Sequence, residues 1–275
     1  SGSSPLNPSG PLGRNGTGSG MECCNGFVDS VNPLDPKDPK WQKSAEFGPD
    51  KEMLWQSRPL HKDQWLMSNN AIRAEIQELH SAISAVVERG ELCLWELHLI
   101  KSAWRIHKEH VAGNIHQKKE LVIPFLDERI KLDYNLKQGR SQVLLALEQL
   151  SEEVTAVDPS TELQDVLIRL EKYQHGLLQQ LNKEESCELQ LMRAYFSPDE
   201  AKPLVDQLIE SHPSLGSFIF FAGDETFSGF MKQEDISSFS WYFNFKIKCQ
   251  EFDAGFVRPL EAVLHGTPLR TCYFC

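Results

Sequence analysis

The sequence predicts an all-α protein, an up-down four-helix bundle with additional C-terminal helices packed on it. Three observations carry this. From Asp50 onward apolar residues recur at spacings of three and four for most of the chain. Gly90 and the Asp158-Pro159-Ser160 run divide that text into long segments with short connections. No internal repeat or β-hairpin signal interrupts it.

At 275 residues, 40% hydrophobic and 24% charged, the chain is large enough to bury a sizeable core. Lys plus Arg number 28 against 39 Asp plus Glu, a net charge of −11, which disfavours tracking of nucleic-acid phosphates. The longest apolar runs, such as 218–222, fall short of the roughly 18–20 residues of a membrane-spanning helix. Seven thinly spread Cys and no recognisable signal peptide predict a reducing, intracellular and cytoplasmic setting with free thiols.

Residues 1–20, almost all Gly, Ser, Pro and Asn, read as a tag remnant ahead of Met21. Residues 21–50 read as a Pro-rich extended lead-in, with Phe27, Val28 and Trp41 able to dock on a core. Residues 51–265 read as one helical domain, with the bundle over about 60–196, further helices over 197–265 and a Cys-containing tail over 266–275. The first helix spans about 62–89, with Leu66, Ile72, Ile76, Leu79, Ile83 and Val86 on one face before Gly90. A second begins at Glu91 and fades near Tyr134, bending near Gly113 and kinked by Pro124. The third spans about 138–157 and the fourth 162–195, the latter with Leu163, Val166, Leu170, Leu177 and Leu181 on its apolar face. Shorter helices follow at 198–211, 213–222, 225–232 and 239–264, rich in Phe that must pack on the bundle.

The chemistry-bearing spacing is His116-x3-Glu120, which places an imidazole and a carboxylate one turn apart on a helix face, as a bundle metal site requires. No nucleophile with a base, Gly-rich phosphate loop or paired-Cys zinc motif accompanies it. His107 and His110, three apart, lie off the strip of His116 and read as a solvated basic face with Lys108. His80 reads as a core-edge histidine bonded to a carboxylate.

The stretches WLMSNNAIRAEIQEL, HKEHVAGNIHQKKELVIPFLDER and QLNKEESCELQLMRAYFSPDE together resemble a hemerythrin-like (HHE cation-binding) domain over about residues 60–200. FVRPLEAVLHG at 256–266 resembles the ending of longer members. The resemblance implies a four-helix bundle whose inward His and carboxylates hold non-haem di-iron for oxygen binding, iron or oxygen sensing, or iron storage. Carried onto this chain, it makes His116, Glu120 and Glu184 the surviving metal ligands, with His175 as a further candidate in the fourth helix. The other ligand positions hold Asn69, Arg140 and Gln180, and Arg140 puts a cation where the metal's charge would sit. An amide oxygen is a poor iron ligand beside an imidazole. Without metal, these residues and the surviving carboxylates should form a buried polar network, with an Arg140–Glu120 or Arg140–Glu184 ion pair in place of iron.

At the ends, Cys272 is fourth from the C-terminus as in a prenylation box, and Cys23-Cys24 follows Met21. Lipidation there would give peripheral membrane association without a transmembrane segment, and Cys272 with Cys275 has the spacing of a redox pair. The leading expectation is a hemerythrin-like module with a degenerate cation site and no tightly bound cofactor, acting without enzymatic chemistry in binding, sensing or scaffolding through a protein partner or small ligand. The alternatives are a mono- or di-nuclear iron protein, and an enzyme or binder that takes an organic ligand in the bundle interior.

Overall fold

Helix α1, Gln64–Arg89, starts where the Asp63 side chain accepts the Trp65 N–H at 3.0 Å, and it ends at Gly90. With φ of 70°, Gly90 adopts the left-handed conformation that closes a helix at least cost for a residue without Cβ. The computed structural model describes residues 34–132, 134–160, 163–237, 239 and 245–268, and among them no strand occurs, only an isolated bridge between Gln42 and Ile130. The chain divides after Leu34, and the helices belong to the unit Asp35–Cys275.

The second helix, α2, spans Leu94–Gln117 and continues through one π-helical turn, Lys118–Val122, into the short α3, Ile123–Asp127. Helix α2 runs through Gly113, where a bend is expected from the sequence, and its irregular turn is the π segment. Pro124 has no N–H to return to residue 120 and its ring crowds that carbonyl, so the turn before it widens. The same device recurs ahead of Pro259, where Asp253–Val257 is π-helical between α9, Lys246–Phe252, and α10, Arg258–Leu264. Helix α4 is Tyr134–Ala156, and α5 is Leu163–Lys183. A third π turn, Glu184–Leu189, leads from α5 into α6, Gln190–Tyr195.

Helix α7, Pro198–Glu210, opens on a capping box in which Ser197 and Glu200 satisfy each other's backbone N–H. Helix α8, Leu215–Gln233, is broken at Gly223 (φ 73°, ψ 160°), so the two helices expected over 213–232 exist with Gly223 between them.

The protein is all-α. Helix α1 packs against α2, α5, α8 and α10, and α4 packs against α2 and α5. Between the long helices lies the larger core, with Ile76, Leu79, Trp104, Leu147, Leu170 and Phe256 among its buried members. Each helix contributes residues spaced by three and four, and burial of this kind stabilises by about 25 cal/mol per Å² of apolar surface removed from water. A second cluster joins Met67 of α1 to Phe218, Ile219, Phe227, Phe230 and Phe245, which is where much of the C-terminal aromatic material goes. Phe239 is exposed, while Trp241 and Phe243 lie outside the described residues. Residues 35–50 of the expected lead-in belong to the same unit as the helices. Trp41 is buried, Lys131 N–H donates to its carbonyl at 2.8 Å, and Tyr195 Oη donates to the Pro36 carbonyl at 3.0 Å. No helix among the described residues is long and apolar enough to cross a membrane.

Candidate functional site: a buried ion network

The inward face of α2 is set by a seven-residue recurrence, Leu97, Trp104, Val111, which an α-helix returns to within about 20°. The next member is Lys118, and its side chain is buried. On α5 the same recurrence through Leu170 and Leu177 reaches Glu184, also buried. Asn69 of α1, Arg140 of α4, Gln180 of α5 and Glu188 of the following π turn are buried beside them.

These six side chains form one network. Lys118 Nζ donates to Asn69 Oδ1 at 2.7 Å and to Glu184 Oε2. Glu184 Oε1 accepts from Arg140 Nε at 3.0 Å and from Gln180 Nε2 at 2.9 Å. Arg140 Nη2 donates to Glu188 Oε2. At the rim, Asn69 Nδ2 donates to Glu185 Oε1 at 2.8 Å, and Arg73 grips the same carboxylate with two nitrogens at 2.7 and 2.9 Å. Gly139 makes the approach of α4 to α5 possible, because a Cβ there would overlap Gln180 Oε1.

The electrostatics follow from burial and pairing. Burial opposes charge on Glu184, but Lys118 and Arg140 outweigh it and hold the carboxyl below its ordinary range. Burial lowers Lys118 despite Glu184. Arg140 loses to burial but gains more from Glu184 and Glu188, and stands above its usual value. Burial, helped by the neighbouring Glu184 charge, raises Glu188 against the pull of Arg140. Arg140 Nη1 and Glu188 Oε1 are left without partners.

Beside Lys118 is a small cavity of about 10 Å³, room for one water, lined by Gln64, Trp65, Ser68, Asn114 and Gln117 as well as the lysine. The Trp65 Nε1 donor is buried without a partner, and Lys118 Nζ lies 5.5 Å from the Trp65 ring centroid.

A second buried polar group joins α1, α2 and α5. Glu75 Oε2 accepts from His107 Nδ1 at 3.0 Å, and Glu75 Oε1 accepts from His110 Nδ1 at 2.6 Å. Burial opposes the Glu75 charge, but the two imidazoles prevail and hold it at about 2, so the carboxylate only accepts and each Nδ1 carries the proton. His107 Nε2 is then free to accept from Tyr173 Oη at 3.2 Å, and burial together with the Glu75 charge keeps the phenol protonated.

The expected ligands do not converge. His116 and Glu120 are exposed, because His116 lies about 200° from Lys118 on the helix and the π turn carries Glu120 outward as well. His175 is exposed and bonded to Gln179 at 2.9 Å. Glu184 alone of the four is inside, and of the two ion pairs weighed in place of metal, Arg140–Glu184 is present and Arg140–Glu120 is not. His80 sits at the edge, 3.4 Å from Glu171 Oε1.

His107 and His110, read as a solvated face, are instead the buried pair on Glu75. Their angular offset from His116 was correct, but the strip of His116 is the outward one. Lys118, Glu188 and Glu75 were missed. The signal that finds Lys118 and Glu75 is phase: Lys118 lies seven residues after Val111, and Glu75 lies between Ile72 and Leu79, three and four residues from them.

No group of three or more His, Cys, Asp or Glu among the described residues is placed to hold a metal ion. The donor set agrees, since both Glu184 oxygens are engaged by Lys118, Arg140 and Gln180, and two cations stand at the centre where a metal's charge would be repelled. Cys23, Cys24 and Cys272, named for lipidation, lie outside the described residues. Comparison with models of known protein families, with curated proteins and with solved structures finds no match.

Proposed function

We propose that this chain is a hemerythrin-like helical module in which internal cations stand in for the metal, and that it acts without enzymatic chemistry as a binding, sensing or scaffold element. The observation that supports this reading is the Glu184 carboxylate, whose oxygens are held by Lys118, Arg140 and Gln180 from two other helical segments and its own. A metal tethers helices by drawing donors to one point. Here Lys118 and Arg140 do so with fixed covalent stems, which makes the packed state independent of metal supply.

The test is metal content of protein reconstituted anaerobically with ferrous iron and desalted, alongside thermal unfolding with and without chelator. The expected result is no retained iron and unchanged unfolding. Stoichiometric iron that survives desalting, with a chelator-sensitive melting temperature, would overturn the reading and favour an iron protein.

A further inference from the structure

The connection between α7 and α8 carries a histidine that the ion network does not use. His212 is 9% exposed, its Nδ1 accepts the Ser214 N–H at 3.2 Å, and its ring centroid lies 4.9 Å from that of Phe218. With Nδ1 accepting, the neutral ring carries its proton on Nε2, and that donor is buried without a partner. Ser214 Oγ and Ser217 Oγ are buried and unpartnered as well. Three polar atoms within six residues thus go unsatisfied while this segment stays docked, and each gains water if it leaves.

The docking itself is close. A Cβ on Gly113 of α2 would stand 2.5 Å from Pro213, so the connection rests on the helix backbone. Gln117 Nε2 reaches across to the Leu208 carbonyl at 2.8 Å and to Ser211 Oγ at 3.0 Å.

We propose that His212 is an acid-released latch, which pins the α7–α8 connection to the helical core while its ring is neutral and releases it when the ring takes a proton. Protonation puts a hydrogen on Nδ1, directly against the Ser214 N–H it now accepts. The groups that act on the ring are His110 from α2, Glu75 from α1 and Lys118 from the π turn. Two of the three are basic, and both oxygens of the one carboxylate are already engaged by His107 and His110. A proton on His212 therefore has no unengaged acid among them to pair with, and leaving for water is its way to keep the charge. Burial, with His110 and Lys118 adding to it against Glu75, holds the ring at about 3 rather than 6.5. Between these values the open segment binds a proton that the docked one does not, so the open population grows about tenfold per pH unit as pH falls. What comes off is the connection, seated on α2 through Pro213, and the start of α8, which packs on α1. None of residues 209–220 is among the buried members of the larger core, and only Phe220 of them packs against its edge.

The experiment is amide hydrogen exchange of the full chain from pH 7 to 5, corrected for intrinsic rates, comparing peptides over 209–220 with peptides over 143–154. The expected result is an opening of 209–220 that rises about tenfold per pH unit below roughly pH 6.5, with 143–154 unchanged. His212→Asn, whose amide oxygen can accept the Ser214 N–H and does not titrate, should be flat across the range. His110→Asn should keep the slope. A slope that persists in His212→Asn, that vanishes in His110→Asn, or that spreads equally to 143–154 overturns the proposal. Should His212→Asn fail to fold, the wild-type pattern decides: no slope, or no localisation to 209–220, is sufficient to reject it.

Discussion

Lys118→Met tests the central ion network most directly. The substitution keeps the length of the stem and removes the ammonium that Asn69 Oδ1 and Glu184 Oε2 both accept from. Lys118 is 4% exposed and Glu184 1%, so the loss leaves a buried carboxylate with one of its two cations gone. Removal of one partner from a buried pair costs about 3–5 kcal/mol, against at most about 1 kcal/mol for an exposed pair. Glu184→Gln in the Lys118→Met background removes the stranded charge while the carboxamide oxygen still accepts from Arg140 or Gln180. The double variant should therefore lose at least about 2 kcal/mol less than the sum of the two single variants. Urea unfolding at neutral pH, followed by far-ultraviolet circular dichroism and by tryptophan fluorescence, measures each corner of the cycle. Trp65, which lies against Lys118, is one of six Trp whose summed emission follows the loss of tertiary packing. A cost below about 1 kcal/mol for Lys118→Met, or strict additivity in the cycle, would refute the claim that these charges hold one another in the interior.

Two further outcomes follow from particular contacts. Gly139→Ala drives a Cβ into Gln180 Oε1 and turns away the amide that supports Glu184, so it should destabilise by about 1–3 kcal/mol, as overpacking does, measured by the same urea titration. Glu75 is held at about 2 against an ordinary 4.5, so its contribution is complete above about pH 4.5 and is lost as pH falls toward 2. That window of about 2.5 pH units corresponds to about 3 kcal/mol, and Glu75→Gln should flatten the fall in stability measured by unfolding titrations between pH 4.5 and 2.5.

How far the sequence reached can be judged from single positions. The apolar period and the stop at Gly90 located α1 to within about two residues, because a helix terminus is a local event governed by φ freedom and capping. Gly223 was legible in the same way. The polar replacements at Asn69, Arg140 and Gln180 were also visible, as was one ion pair, Arg140–Glu184, since charge and residue type need no coordinates.

Residue type and spacing alone thus carried the all-α class, the limits of α1 and the presence of cations and amides at positions where the resemblance implies metal ligands. Tertiary structure decided which face of α2 is inside. A helix shows only relative angles in its own text, and His116 with Glu120 made as regular a stripe as Val111 with Lys118. Packing against α1, α4 and α10 chose the second, because the first would have left Leu97, Trp104 and Val111 in water. That choice buried Lys118 opposite Glu184 and buried His107 opposite Glu75, pairings between helices that no spacing along one helix could specify.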